Sequence, residues 1–207
     1  MKKWIAGWIF FCLSATTAWA ANPQVVMETT MGNIKLELLP EVAPKTVANF
    51  LEYVKSGFYN GTQFHRVIDG FMIQGGGFDT NMQQKATRPP VENEGALNQK
   101  AGVKNVIGTI AMARTSNPNS ATAQFFINVA DNAMLDYPTQ GGYTVFGKVI
   151  EGMDTVNKIA KTQTGMRDVP MTSVVITKAF VVEAPQADEK KPDAEKSGEP
   201  NAMKEKK

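Results

Sequence analysis

Between Phe64 and Phe78 the chain reads FHRVIDGFMIQGGGF, and this run concentrates the side chains with chemical potential: His65, Arg66 and Gln74, interleaved with Phe64, Phe71 and Met72 and followed by Gly75, Gly76 and Gly77. His65 is the single histidine of the chain and Cys12 the single cysteine. A zinc site of histidine and cysteine ligands, or a cysteine-histidine nucleophile pair, therefore has too few members. No Gly-x-Ser-x-Gly elbow supplies a serine nucleophile, and no acidic spacing matches a calcium loop. The three glycines carry neither the Gly-Lys-Ser/Thr ending of a phosphate loop nor a Gly-x-Gly-x-x-Gly opening to a helix, so they read as backbone freedom for a bulge or a close approach.

What remains is an arginine, a glutamine and apolar side chains. Such a set is poorly equipped to make or break covalent bonds and calls for no cofactor or metal. It can bind an apolar ring and hold a cation beside a polar group. Rotation about a prolyl peptide bond asks for little more.

These groups need elements to hold them. Phe64, Val67, Phe71 and Ile73 are strand formers around Asp69-Gly70, which predicts a hairpin. A second hairpin is expected over Gln24 to Leu39, where Ile34, Leu36 and Leu38 alternate with Lys35 and Glu37 and Gly32-Asn33 suits the turn. Pro44 at an early position, Val47, Phe50, Leu51 and Val54 at helical spacing, and Gly57 as a stop predict a helix. Asp79 to Lys104 and Arg114 to Ala123 read as long polar loops, of the kind that carry function. Strands are expected over Val106 to Ala113, Gln124 to Val129, Tyr143 to Ile150 and Val174 to Val182, with Phe126 and Asn128 on the face opposite Phe125 and Ile127. Met153, Val156 and Ile159 mark a second short helix. Many short strands, two helices and long loops predict a mainly β single domain, most simply a closed barrel, because closure removes exposed edges.

The two ends differ in character from this body. Lys2 and Lys3, the apolar run Trp4 to Leu13 and the small-x-small Ala18-Trp19-Ala20 read as a signal peptide over residues 1–20, cleaved after Ala20. The apolar run is well under the roughly twenty residues that span a bilayer, so membrane insertion of the mature chain is not expected. Cleavage would remove Cys12. Residues 21–183 then form the domain, and 184–207, rich in Ala, Pro, Lys, Glu and Asp, read as a disordered charged tail. The 22 basic and 20 acidic residues give +2, and loss of Lys2 and Lys3 leaves zero, which argues against nucleic acid as a partner. No apolar repeat points to assembly, so a monomer is expected.

Three separated motifs carry a resemblance. Phe64-His65-Arg66 through Gly70-Phe71-Met72-Ile73-Gln74-Gly75-Gly76, then Gln124-Phe125-Phe126-Ile127, then Val145-Phe146-Gly147-Lys148-Val149, resemble in order the signatures of the cyclophilin-type peptidyl-prolyl cis-trans isomerases. The likeness runs from about Val25 to Val182 and, with the leader, is most similar to the periplasmic cyclophilins of Gram-negative bacteria. It implies an eight-stranded antiparallel β-barrel capped by two α-helices, with a groove on the outer face and proline-containing unfolded or partly folded polypeptides as substrates. It also implies that Arg66 is catalytic with Gln74 holding it, and that Phe71, Met72, Phe126 and Leu135 line the proline pocket. Ala113 and Gln124 would contact the peptide chain, Tyr143 would stand at the rim, and His65 and Phe64 would be structural. Met134 stands where the best-known members have a tryptophan that helps bind cyclosporin, which implies weak sensitivity to that inhibitor. The rival reading is a peptide-binding holdase on the same fold.

Overall fold

The computed structural model describes residues 21–182. The expected signal peptide with Cys12, and the tail over 184–207, lie outside the described residues. Eight antiparallel strands close into a barrel in the order β1 (Gln24–Thr29), β2 (Gly32–Leu38), β7 (Val145–Glu151), β5 (Thr109–Met112), β6 (Phe125–Asn128), β4 (Met72–Asp79), β3 (Thr62–Ile68) and β8 (Val175–Val182), with β8 returning to β1.

Period-two alternation fills the barrel. Val25 and Met27 of β1 and Ile34, Leu36 and Leu38 of β2 are fully buried in one core with Phe64, Ile73, Ile110, Phe125, Ile127 and Phe146. Helix α1 (Pro44–Lys55) lays Val47, Phe50, Tyr53 and Val54 on this core, and Phe50 packs against Tyr59, Phe125 and Phe146 at 4.9–6.0 Å between ring centroids. Helix α3 (Met153–Ala160) buries Val156 and Ile159 in the same core.

Three local expectations shift. The β1–β2 turn falls at Thr30-Met31, not at Gly32-Asn33, because Thr29 Oγ1 donates to Gly32 O at 2.6 Å and accepts from Met31 N at 3.1 Å, closing the turn with a side chain. Strand β5 starts at Thr109, since Gly108 takes φ +82° and leaves Val106 and Ile107 exposed before it. The loop after β4 is not irregular throughout. It contains a third short helix, α2 (Gly95–Ala101), whose buried Asn98 donates to Val145 O at 3.0 Å and accepts from Val145 N at 2.7 Å.

That loop also completes α1. The residue preceding α1 is Ala43, which offers no side-chain cap. Glu94, 5% exposed, reaches across instead: Oε1 accepts from Lys45 N at 3.0 Å, and Oε2 accepts from Thr46 N at 2.9 Å and Thr46 Oγ1 at 2.7 Å. A carboxylate buried at the positive end of a helix satisfies orphan amides and the macrodipole together.

Candidate active site

The site lies on the outer face of the sheet. A single cross-strand row builds it: Arg66 pairs with Gln74, Gln74 with Phe126, Phe126 with Ala111 and Ala111 with Val145, across β3, β4, β6, β5 and β7. Phe126 and Gln74 are thus brought together from positions distant in sequence by register alone.

Regular alternation would not put Arg66 in this row. Phe64 points into the core, and a strict period of two would send residue 66 inward with it. Between Phe64 and Arg66 the β3–β4 register slips, β3 advancing two residues while β4 advances one. His65 is the extra residue of this bulge, so Arg66 faces outward while Val67 returns to the core. A second irregularity sets Gln63 opposite Phe78 and Phe64 opposite Gly75, which places Gly76 and Gly77 in the excess on β4. Gly76 has φ +81°, and a Cβ there would fall 2.7 Å from the Phe125 ring; the glycines supply the close approach that their sequence suggested.

Beside the row lies a half-open pocket of about 120 Å³ lined by Arg66, Phe71, Met72, Gln74, Ala113, Arg114, Phe126, Leu135 and Tyr143. Met72 and Phe126 form its apolar floor and belong with Ala111 and Val145 to a buried cluster distinct from the barrel core. The Phe126 and Tyr143 rings meet edge to face at 5.6 Å. Leu135 and Tyr143 come from the loop between β6 and β7, which three buried asparagines fasten. Asn105 Nδ2 donates to Leu135 O at 3.2 Å and Tyr143 O at 3.3 Å, Asn128 Nδ2 donates to Asn105 Oδ1 at 3.3 Å, and Asn132 Nδ2 donates to Asn128 Oδ1 at 2.7 Å and Phe71 O at 2.9 Å. This polar chain ties the hairpin tip to the far wall of the pocket.

Of the side chains singled out from the sequence, Arg66, Phe71, Met72, Gln74, Ala113, Phe126, Leu135 and Tyr143 meet at this pocket. Gln124 lines the adjoining opening and accepts from Gln74 Nε2 at 3.1 Å. Tyr59, buried and with its phenol held above the usual pKa chiefly by that burial, donates to Ala123 O at 2.8 Å and so fixes the chain just before Gln124. Met134 is 63% exposed and stands outside the pocket. Phe64 is in the barrel core, and His65 is buried with its ring 4.5 Å from Phe78 and, among the described residues, no hydrogen-bond partner for Nδ1.

Two partners were not legible in advance. Gln74, though the cross-strand neighbour of Arg66, turns its amide to Gln124, and the group bound to the guanidinium is Asp168, whose Oδ2 accepts from Arg66 Nε at 3.4 Å. Asp168 sits in the loop before β8 with φ +59°, a left-handed conformation that aspartate tolerates better than most residues. The second is Arg114, which borders the pocket with its guanidinium 4.1 Å above the Tyr143 ring. Nothing in the spacing of either residue marks it.

The family profile described as "Cyclophilin type peptidyl-prolyl cis-trans isomerase/CLD" matches residues 24–181. The chain belongs to this family. Among its relatives, "Peptidyl-prolyl cis-trans isomerase A" of Dickeya dadantii is 50% identical over 192 residues, covering 88% of this chain and 99% of the relative. "Peptidyl-prolyl cis-trans isomerase" of Acinetobacter baylyi is 59% identical over 145 residues, 70% of this chain and 75% of the relative. "Peptidyl-prolyl cis-trans isomerase B" of Escherichia coli is 50% identical over 167 residues, 77% of this chain and 99% of the relative. The crystal structure of a cyclophilin-type isomerase of Cryptosporidium parvum superposes with a TM-score of 0.66 at 28% identity, covering 79% of this chain and 99% of that one. The barrel expected from the sequence is therefore the cyclophilin barrel.

Proposed function

We propose that this cyclophilin accelerates cis-trans rotation of X-Pro bonds in exported polypeptides, with Arg66 as the catalytic group. The observation that carries this reading is the bulge at His65, which turns one guanidinium out of the barrel onto the edge of an apolar pocket floored by Met72 and Phe126.

Peptide rotation must break amide resonance, a barrier of about 18–20 kcal/mol, and X-Pro exchange takes roughly 10–100 s unaided. In the twisted transition state the prolyl nitrogen becomes pyramidal and gains a lone pair absent from the planar ground state. A guanidinium N–H aimed at that nitrogen stabilises the transition state selectively. A gain on the order of 10⁵ requires about 7 kcal/mol of differential stabilisation. The apolar floor holds the ring still while the preceding carbonyl swings, and the Gln74–Gln124 amide pair offers polar contacts to the peptide backbone. No proton is transferred, so the rate depends little on pH near neutrality.

Gln74 and Gln124 act as peptide contacts in this scheme, with Ala113 and Tyr143 at the rim and Leu135 on the wall. The leader-like residues 1–20 support export to the periplasm, with the mature chain acting there as a monomer on unfolded or partly folded substrates. Met134 in place of an aromatic ring supports weak cyclosporin binding.

The test is a protease-coupled rate measurement on an Ala-Pro peptide, run beside an aggregation assay on an unfolded substrate. A catalysed rate proportional to protein concentration supports the isomerase. Suppressed aggregation without any rate gain supports the holdase. N-terminal sequencing of protein recovered from the periplasmic fraction should begin at Ala21.

A further inference from the structure

Two openings meet at Gln74, Ala113 and Arg114. One is the apolar pocket, and the other, about 380 Å³, is walled by the hydroxyls of Thr87, Thr115, Ser120 and Thr122 and the amides of Gln84 and Gln124. Every one of those groups is neutral. Arg114 is the single charged residue lining this second opening.

Its charge is not matched by a carboxylate. Among the described residues, Arg66 and Arg88 have acidic partners, whereas Arg114 and Arg167 have none, and of these two only Arg114 borders the groove. Nε donates to Gly142 O at 3.3 Å, Nη2 to Gly142 O at 3.0 Å and Gln140 O at 2.9 Å, and Nη1 to Thr115 O at 2.9 Å. All the acceptors are backbone carbonyls. The Tyr143 ring lies 4.1 Å beneath. Five N–H donors less these four bonds leave one Nη1 hydrogen unused. The cation is therefore immobilised before any ligand arrives, and little side-chain entropy is lost on using it. A guanidinium needed only as a loop fastener has no reason to border both openings.

We propose that Arg114 gives this enzyme a preference for substrates in which an aspartate or glutamate lies within two residues of the proline, with the carboxylate seated in the polar opening. The proposal rests on the isomerase groove described above and names its favoured substrate class. A lysine or arginine at the same place is disfavoured by the same charge. Asp168, which offsets the charge of Arg66, leaves Arg114 as the uncompensated cation of the groove.

Peptides identical except for Glu, Gln or Lys at each of the two positions before and after proline test this, using the full mature chain and its Arg114→Gln and Arg114→Lys variants. Both kcat/KM and Kd are measured for each peptide, and the Glu-to-Gln ratio is taken within each protein, so general losses in a variant cancel. At low salt the wild type should favour Glu about two- to fivefold at one position at least, with Lys below Gln. The ratio should fall toward one in high salt and in Arg114→Gln, and persist in part in Arg114→Lys. A wild-type ratio of one or less at every position, or the same ratio in Arg114→Gln as in the wild type, overturns the proposal. If the wild type turns over none of the peptides, the isomerase reading fails, and the ratio of Kd values still decides the preference.

Discussion

Arg66 Nε donates to Asp168 Oδ2 at 3.4 Å, joining the β3 bulge to the loop before β8, with the two side chains 43% and 45% exposed. An ion pair this wet contributes at most about 1 kcal/mol to stability, so its value lies in limiting where the guanidinium points. Asp168→Asn keeps the size and tolerance of left-handed backbone while removing the charge. It should lower kcat/KM about two- to fivefold, with unfolding free energy within about 1 kcal/mol of wild type. Urea unfolding alongside peptide kinetics checks both halves.

Glu94 links the long loop to α1 through Lys45 N, Thr46 N and Thr46 Oγ1, the two Thr46 contacts being buried. Glu94→Ala leaves those amides without an acceptor and should destabilise the protein by about 2 to 3 kcal/mol. Below the variant's melting transition kcat/KM should stay near wild type, since no pocket residue is touched.

A Cβ on Gly77 would sit 2.4 Å from Gln124 Cγ and 2.6 Å from its Cδ. Gly77→Ala must therefore displace the Gln124 side chain, whose amide oxygen accepts from Gln74. Activity should drop about tenfold, with a stability loss of only about 1 kcal/mol. Unchanged kinetics would show that the Gln74–Gln124 pair does not contribute to catalysis.

These three relationships also mark the limits of what the sequence discloses. The apolar alternation of Ile34, Leu36 and Leu38 and the helical spacing of Val47, Phe50 and Val54 report burial directly, so the barrel strands and α1 are legible. Arg66, Phe71, Met72, Gln74, Gln124 and Phe126 are legible through their motifs, and Ala113, Leu135 and Tyr143 only through the family resemblance. The bulge at His65 is not, because one inserted residue leaves no mark on composition and merely reverses the phase of Arg66 and Val67. Helix α2 is too short for a periodic stripe. Asp168, Arg114 and the asparagines at 105, 128 and 132 act through long-range contacts that local pattern does not encode.

Burial holds the imidazole of His65 below its ordinary pKa of 6.5, helped by the nearby charge of Arg66 and opposed by polar groups of Gln63 and Gln124. The unfolded chain therefore binds a proton more readily than the folded one. The corresponding stability is complete above about pH 6.5 and is lost as pH falls from there through the lower folded pKa. In His65→Gln this slope disappears while the carboxylate contributions remain. The stability difference between wild type and variant, followed by urea unfolding from pH 8 to pH 5, should shift against the wild type as pH falls. A difference constant over that range would contradict the assignment.

The most direct measurement is the isomerisation rate of an X-Pro peptide with wild type, Arg66→Ala and Arg66→Lys, each shown by circular dichroism to be folded. Loss of the guanidinium should reduce kcat/KM by about 10² to 10³, and lysine, which lacks the planar fork, should recover only a small part. An Arg66→Ala protein that retains the wild-type rate within about twofold would contradict the assignment of catalysis to the residue that the His65 bulge turns outward.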